Sequence, residues 1–185
     1  MIPLHIDWKD STGAVIYEGG PYTGSSLEQN TLVLGVLAPN SYSGIFTVVL
    51  QNTALDRRLQ IASQVGSVLD GAAETFLNIK LYLQSDPDTL NTLLNDWPLM
   101  NAGVEVSFDN GITWTRFSSS IGNPADSSTW LLLPGSAVAF GAPDGELDAT
   151  PPTNRATLLI RVKTPANPEA YGLISFSLVP DFDVV

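Results

Sequence analysis

The amino-acid sequence predicts an all-β protein, an antiparallel sandwich or barrel, with one short helix. Three observations carry this. Short runs rich in Val, Ile, Leu, Thr and aromatic residues recur about every 8 to 14 residues, separated by clusters of Gly, Pro, Asn, Asp and Ser. Two of the runs alternate strictly enough to mark one apolar sheet face. Only one stretch combines helical spacing with a cap and a stop.

In chain order the strand runs are PLHIDW (3–8), AVIYE (14–18), TLVLGVLA (31–38), GIFTVVLQN (44–52), RLQIAS (58–63) and TFLNIKLYLQ (75–84), then VEVSF (104–108), ITWTRF (112–117), TWLLL (129–133), SAVAFG (136–141), ATLLIRVKT (156–164) and YGLISFSLV (171–179). In TFLNIKLYLQ, Leu77, Ile79, Leu81 and Leu83 share the face expected to meet the core, against Phe76, Asn78, Lys80 and Tyr82. In the last run Ile174, Phe176 and Leu178 form the apolar face. The helix is expected over about 86–97: Asp86 caps, Pro87 suits the first position, Asp88 favours the first turn, and Leu90, Leu93, Leu94 and Trp97 keep helical spacing until Pro98 stops it. The polar stretches 118–128 and 142–154 read as loops. No linker divides the chain. One continuous domain is expected, with residues 1–43 as N-terminal strands or an arm contacting neighbouring subunits and 44–185 as the sandwich.

Composition narrows the function classes. A chain of 185 residues is long enough to bury roughly two-thirds of its unfolded surface in one core, and 44% hydrophobic with 15% charged residues excludes a disordered chain. Nineteen acids against eight bases leave a net charge of −11, and the bases form no run, so nucleic acid is not expected as a partner. The absence of cysteine removes disulfides and thiolate chemistry. The start MIPLHIDWKD lacks an apolar segment and the longest apolar stretch is broken by Pro134 and Gly135, so neither a signal peptide nor a membrane span is expected.

Residues 106–117 read VSFDNGITWTRF, in which Ser107, Asp109, Gly111, Thr113 and Trp114 follow the order Ser-x-Asp-x-Gly-x-Thr-Trp. This resembles the Asp-box, a hairpin motif repeated in the blades of sialidases and related propellers. One box with no repeat cannot make a propeller, which needs at least four blades of about 40 residues. The mechanics are local. Gly111, with Asn110, supplies the positive φ of a tight turn, the Asp109 carboxylate accepts donors across it, Ser107 and Thr113 add hydroxyls, and Trp114 packs beneath. Because all five side chains hold one hairpin, the motif predicts structure, pairing Val104–Phe108 with Ile112–Phe117. Sialidase-like chemistry also demands an arginine cluster and a tyrosine nucleophile with a glutamate, and no such arrangement stands out.

Other candidates each have an ordinary alternative. His5 is the lone histidine, on a strand, and the nearest serine to a nucleophile elbow, Ser136, has the wrong glycine spacing. Asp144, Glu146 and Asp148 alternate in PDGELD and are candidate calcium ligands, against a solvated acidic loop; no metal and no cofactor is the expectation. Tyr22, Tyr42, Trp97 and Trp130 can stack on sugars, or serve as core and interface aromatics.

Three segments, GIFTVVLQNTA (44–54), LLPGSAVAF (132–140) and LIRVKTPANPEAYGLISFSLV (159–179), together resemble an immunoglobulin-like β-sandwich of the cysteine-free kind found in bacterial surface proteins and phage virions. They are similar to an early strand, a Pro-Gly edge turn and a closing hairpin. The resemblance implies a non-enzymatic structural protein of a phage particle, a head decoration or a tail or baseplate subunit. Its implied partners are other virion proteins and copies of itself in a homo-oligomer or symmetric lattice, with no nucleic acid and no membrane. Its implied location is the virion, assembled in the host cytoplasm. The rival readings are a carbohydrate-binding or host-adhesion module, and a small hydrolase with a carboxylate or His5-centred pocket.

Overall fold

The computed structural model describes residues 4–9, 15–18, 36–52, 76–133, 154–167 and 174–184. Within them lie nine strands: β1 (Leu4–Lys9), β2 (Val15–Glu18), β3 (Phe46–Asn52), β4 (Phe76–Gln84), β5 (Gly103–Ser107), β6 (Thr115–Arg116), β7 (Leu131–Leu132), β8 (Arg155–Lys163) and β9 (Ser177–Val184). They form two antiparallel sheets, one of six strands in the order β2-β1-β3-β8-β5-β6 and one of three in the order β7-β4-β9. The all-β expectation holds, with one short helix between β4 and β5.

Period-two patterning decides which face is inward. Along β8, Ala156, Leu158, Ile160 and Val162 are buried while Arg155, Thr157, Leu159, Arg161 and Lys163 point the other way. Val48 and Leu50 of β3 and Val104 and Val106 of β5 join them. From the smaller sheet come Ile79, Leu81 and Leu83, on the face the alternation of β4 assigns to the core. Leu93 and Leu94 of the helix, Phe117 and Leu133 complete one cluster shared by both sheets. Each buried Val, Leu, Ile or Phe side chain of this cluster contributes about 1.5 to 3 kcal/mol relative to exposure.

The helix begins as predicted and ends later. Asp86 accepts the Thr89 amide at 3.0 Å and Pro87 opens α1 (Pro87–Asn91). A π turn over Thr92–Asp96 follows, in which Trp97 N–H reaches back to the Thr92 carbonyl, and α2 (Trp97–Leu99) carries Pro98 inside the helix. Proline normally breaks a helix because the carbonyl four residues earlier loses its donor. Here that carbonyl, of Leu94, accepts the Ser119 amide at 2.9 Å from a loop packed alongside. The chain then turns out at Asn101, whose φ is 55°.

The C-terminal part of the chain also departs from expectation. The strand predicted over 171–179 runs over Ser177–Val184, with Ile174–Phe176 outside it. It does not close a hairpin with β8: β8 pairs with β3 and β5, while β9 pairs with β4 in the other sheet. Pro180, which has no amide to donate, lies on β9, the outer strand of the small sheet among the described residues, where a missing donor is tolerated. Ile174, Phe176, Leu178 and Phe182 still pack against the core. The N-terminal strands are part of the main sheet, β1 pairing with β3 from Leu4 opposite Asn52 to Lys9 opposite Thr47. Val36–Ala38, the end of the run at 31–38, are not in a strand, and the runs at 58–63 and 136–141 lie outside the described residues.

Candidate functional site

The hairpin between β5 and β6 stands at the edge of the large sheet, with Glu105 opposite Arg116 and Val106 opposite Thr115. Asn110 and Gly111 take φ values of 59° and 83°, the left-handed pair a tight turn needs. The regular pairing is shorter than the predicted strands because the clamp occupies residues 107–114. Ser107 Oγ donates to Asp109 Oδ1 at 2.8 Å and accepts the Gly111 amide at 2.8 Å. Asp109 also accepts the Thr113 amide at 2.8 Å and the Thr113 hydroxyl. The Trp114 indole N–H donates to the Gly111 carbonyl at 3.1 Å. Hydrogen bonds from the Thr113 side chain and backbone, with a smaller one from Ser107, hold the Asp109 carboxyl below its ordinary range.

Beneath the hairpin the outward side of the large sheet carries a charged layer that sequence reading did not single out. Glu105 is 4% exposed, and its two carboxylate oxygens each meet a guanidinium, Arg116 Nη2 at 2.7 Å and Arg161 Nη2 at 2.7 Å. Burial alone would push its carboxyl up, but the hydrogen bonds from Arg116 and Arg161 and their charges outweigh this, so it lies below its ordinary value. The Arg161 guanidinium is sandwiched between two rings, 3.8 Å from the centroid of Trp114 and 4.2 Å from that of Tyr42. Arg116 Nη1 donates to Asn101 Oδ1 at 3.0 Å. The available signal was register: Glu105 and Arg161 are charges on strands whose alternate residues are uniformly apolar, and the two face each other across β5 and β8.

This arrangement holds the hairpin and the strands beneath it in position. Glu105 is held in the ionised form by Arg116 and Arg161, and Asp109 by the hydroxyl and amide of Thr113 and the hydroxyl of Ser107. Of the other candidates, His5 lies on β1 opposite Gln51. Ser136, Tyr22, Asp144, Glu146 and Asp148 lie outside the described residues. Among the described residues no group of three acids or histidines is placed to hold a metal, and no helix is long and apolar enough to cross a membrane.

The aromatic candidates separate. Trp97 packs half-buried against the core. Trp130 stacks on Tyr82 with ring centroids 4.4 Å apart and donates its indole N–H to the Asn123 carbonyl at 2.8 Å. Tyr42 is 47% exposed, lying over Arg161 and Lys163. No protein-family model, no curated protein and no solved structure matches the chain.

Proposed function

We propose that the chain is a non-enzymatic structural protein of a phage particle, an immunoglobulin-like sandwich docking on the capsid or on the tail or baseplate as a decoration or assembly subunit. The observation that carries this reading is that, among the described residues, the carboxylates of the hairpin and of the layer beneath it are engaged internally. Asp109 is filled by its own hairpin and Glu105 by two arginines. Among the described residues, these two leave surface and sheet edge for partners. The resemblance of residues 44–54 and 132–140 to virion sandwiches supplies the setting. Repeated weak contacts on a symmetric lattice gain strength by multivalency.

The test joins native mass measurement of the purified chain over a concentration series with peptide mass spectrometry of purified particles. Self-association, and a copy number in particles that is a multiple of head or tail symmetry, is the expected result. A chain that stays monomeric and is missing from particles overturns the reading.

A carbohydrate-binding role is the second reading, favoured by the exposed Tyr42 ring and the stacked Tyr82–Trp130 pair. A glycan array showing saturable binding that Trp130→Ala abolishes, with the fold intact, would promote it.

A further inference from the structure

We propose that Asn110–Gly111 is a latent deamidation site, held shut by the hydrogen bonds of the hairpin it forms. Asparagine followed by glycine is the least hindered sequence for the reaction, because no Cβ shields the attacking nitrogen, and asparagine is a recognised thermolabile residue. Asn110 is exposed at the tip, so water and hydroxide reach it. In the reaction the Gly111 nitrogen gives up its proton to hydroxide and attacks Asn110 Cγ. The N–Cγ bond forms, the Cγ–Nδ2 bond breaks, and the side-chain nitrogen leaves as ammonia with a proton from water. Water then opens the cyclic imide. Cleavage of the new N–Cγ bond yields aspartate, and cleavage of the original peptide bond yields isoaspartate, with the chain continuing through the β-carboxyl.

The structure opposes the first step at two points. The Gly111 amide is committed to Ser107 Oγ at 2.8 Å, so its proton is held and its nitrogen is kept from turning toward the side chain. The Gly111 carbonyl is committed to the Trp114 indole at 3.1 Å, which fixes the other side of the glycine. Both anchors are themselves fixed. Ser107 is 1% exposed and donates to Asp109 Oδ1, and Trp114 lies against the Arg161 guanidinium. Reaction therefore proceeds only from locally opened molecules, and its rate reports how often the hairpin opens. The consequence is one-way. Either product adds a negative charge to a chain already at −11. Isoaspartate also lengthens the backbone inside a turn whose bonds span only residues 107–114. This inference stands on the hairpin alone and does not depend on a virion role.

The experiment incubates the full chain in mildly alkaline buffer and follows residues 104–117 by peptide mapping for conversion of the amide to acid and for isoaspartate. Folded wild type should deamidate at least about tenfold more slowly than the same chain in concentrated urea, as for a reaction gated by local opening. Folded Ser107→Ala should approach the urea rate. Thr113→Val removes an Asp109 contact but leaves the Ser107–Gly111 bond, and should stay within about twofold of wild type. Equal rates for folded and unfolded wild type overturn the proposal, as does a folded Ser107→Ala that stays as slow as wild type. If Ser107→Ala does not fold, Thr113→Val decides: protection kept supports the proposal, and protection lost overturns it.

Discussion

Two turns in this molecule are built from the same parts, and only one of them announces itself in the sequence. Residues 107–114 and 122–130 each combine a glycine at positive φ with an aspartate and a closing Thr-Trp pair. In each, the aspartate accepts an amide and a hydroxyl, from Thr113 to Asp109 and from Ser128 to Asp126. In each, the tryptophan indole donates to a backbone carbonyl of its own turn. The difference lies in what the glycine touches. A Cβ on Gly111 would sit 3.6 Å from Trp114, in ordinary contact, whereas one on Gly122 would sit 2.2 Å from Phe117 Cδ1. The second turn is also stitched into the small sheet, because the Gly122 carbonyl accepts the Leu83 amide at 3.0 Å. The first turn closes on itself, while the second is closed by the core.

Substituting alanine at the two glycines tests this most sharply. Gly122→Ala combines a left-handed φ with a steric conflict against a fully buried ring and should lose about 2 to 5 kcal/mol. Gly111→Ala meets only the backbone penalty and should lose about 1 to 2 kcal/mol. Urea unfolding midpoints for the two proteins check the ranking, and equal losses would erase the distinction between them.

The next largest effect belongs to the layer under the hairpin. Glu105→Ala should cost about 2 to 3 kcal/mol, less than for a wholly buried pair, because Arg116 and Arg161 are 24% and 21% exposed and can rehydrate. The sign of the acid response follows from the lowered carboxyls. Glu105, Asp86, Asp109 and Asp126 all titrate lower when folded than their ordinary values of 4.5 for glutamate and 3.8 for aspartate. Their contribution is therefore complete above those values and is lost as pH falls below them through the folded pKa. Thermal melts should drop on acidification in that range, and Glu105→Ala should show a shallower drop.

Smaller effects complete the ranking. Arg161→Lys keeps the charge but loses the planar group between Trp114 and Tyr42 and should cost about 1 kcal/mol. A double-mutant cycle with Trp114→Ala would measure that stacking directly. Asp109→Ala and Asp126→Ala should lower the melting temperature least and by similar amounts, since both carboxylates sit at the surface among donors that water can replace. A much larger loss for Asp126→Ala would show that the core-built turn depends on its aspartate as well.

The inward faces of the sheets were readable because a two-residue period has one interpretation when one face must leave water. Leu81 and Leu83 are buried where their alternation puts them. Pro98 and Pro180 were harder. Proline ends a helix or a strand only where its missing donor is not compensated, and Ser119 compensates the one while the outer position of β9 among the described residues excuses the other. The hairpin clamp was legible as a motif because its partners lie within eight residues of sequence. Glu105 and Arg161 were not, because their bond joins residues 56 positions apart.

By itself, then, the sequence determined an all-β chain with one capped helix, the core face of its clearest strands, and a hairpin at residues 107–114. These follow from periodicity, capping and turn chemistry, all of which act within a few residues. Only the tertiary structure decided that β8 and β9 belong to different sheets, that the helix continues through Pro98, and that a buried glutamate is gripped by two arginines with one of them between aromatic rings. Each of those rests on partners brought together from distant parts of the chain, and no local pattern records which partners will meet.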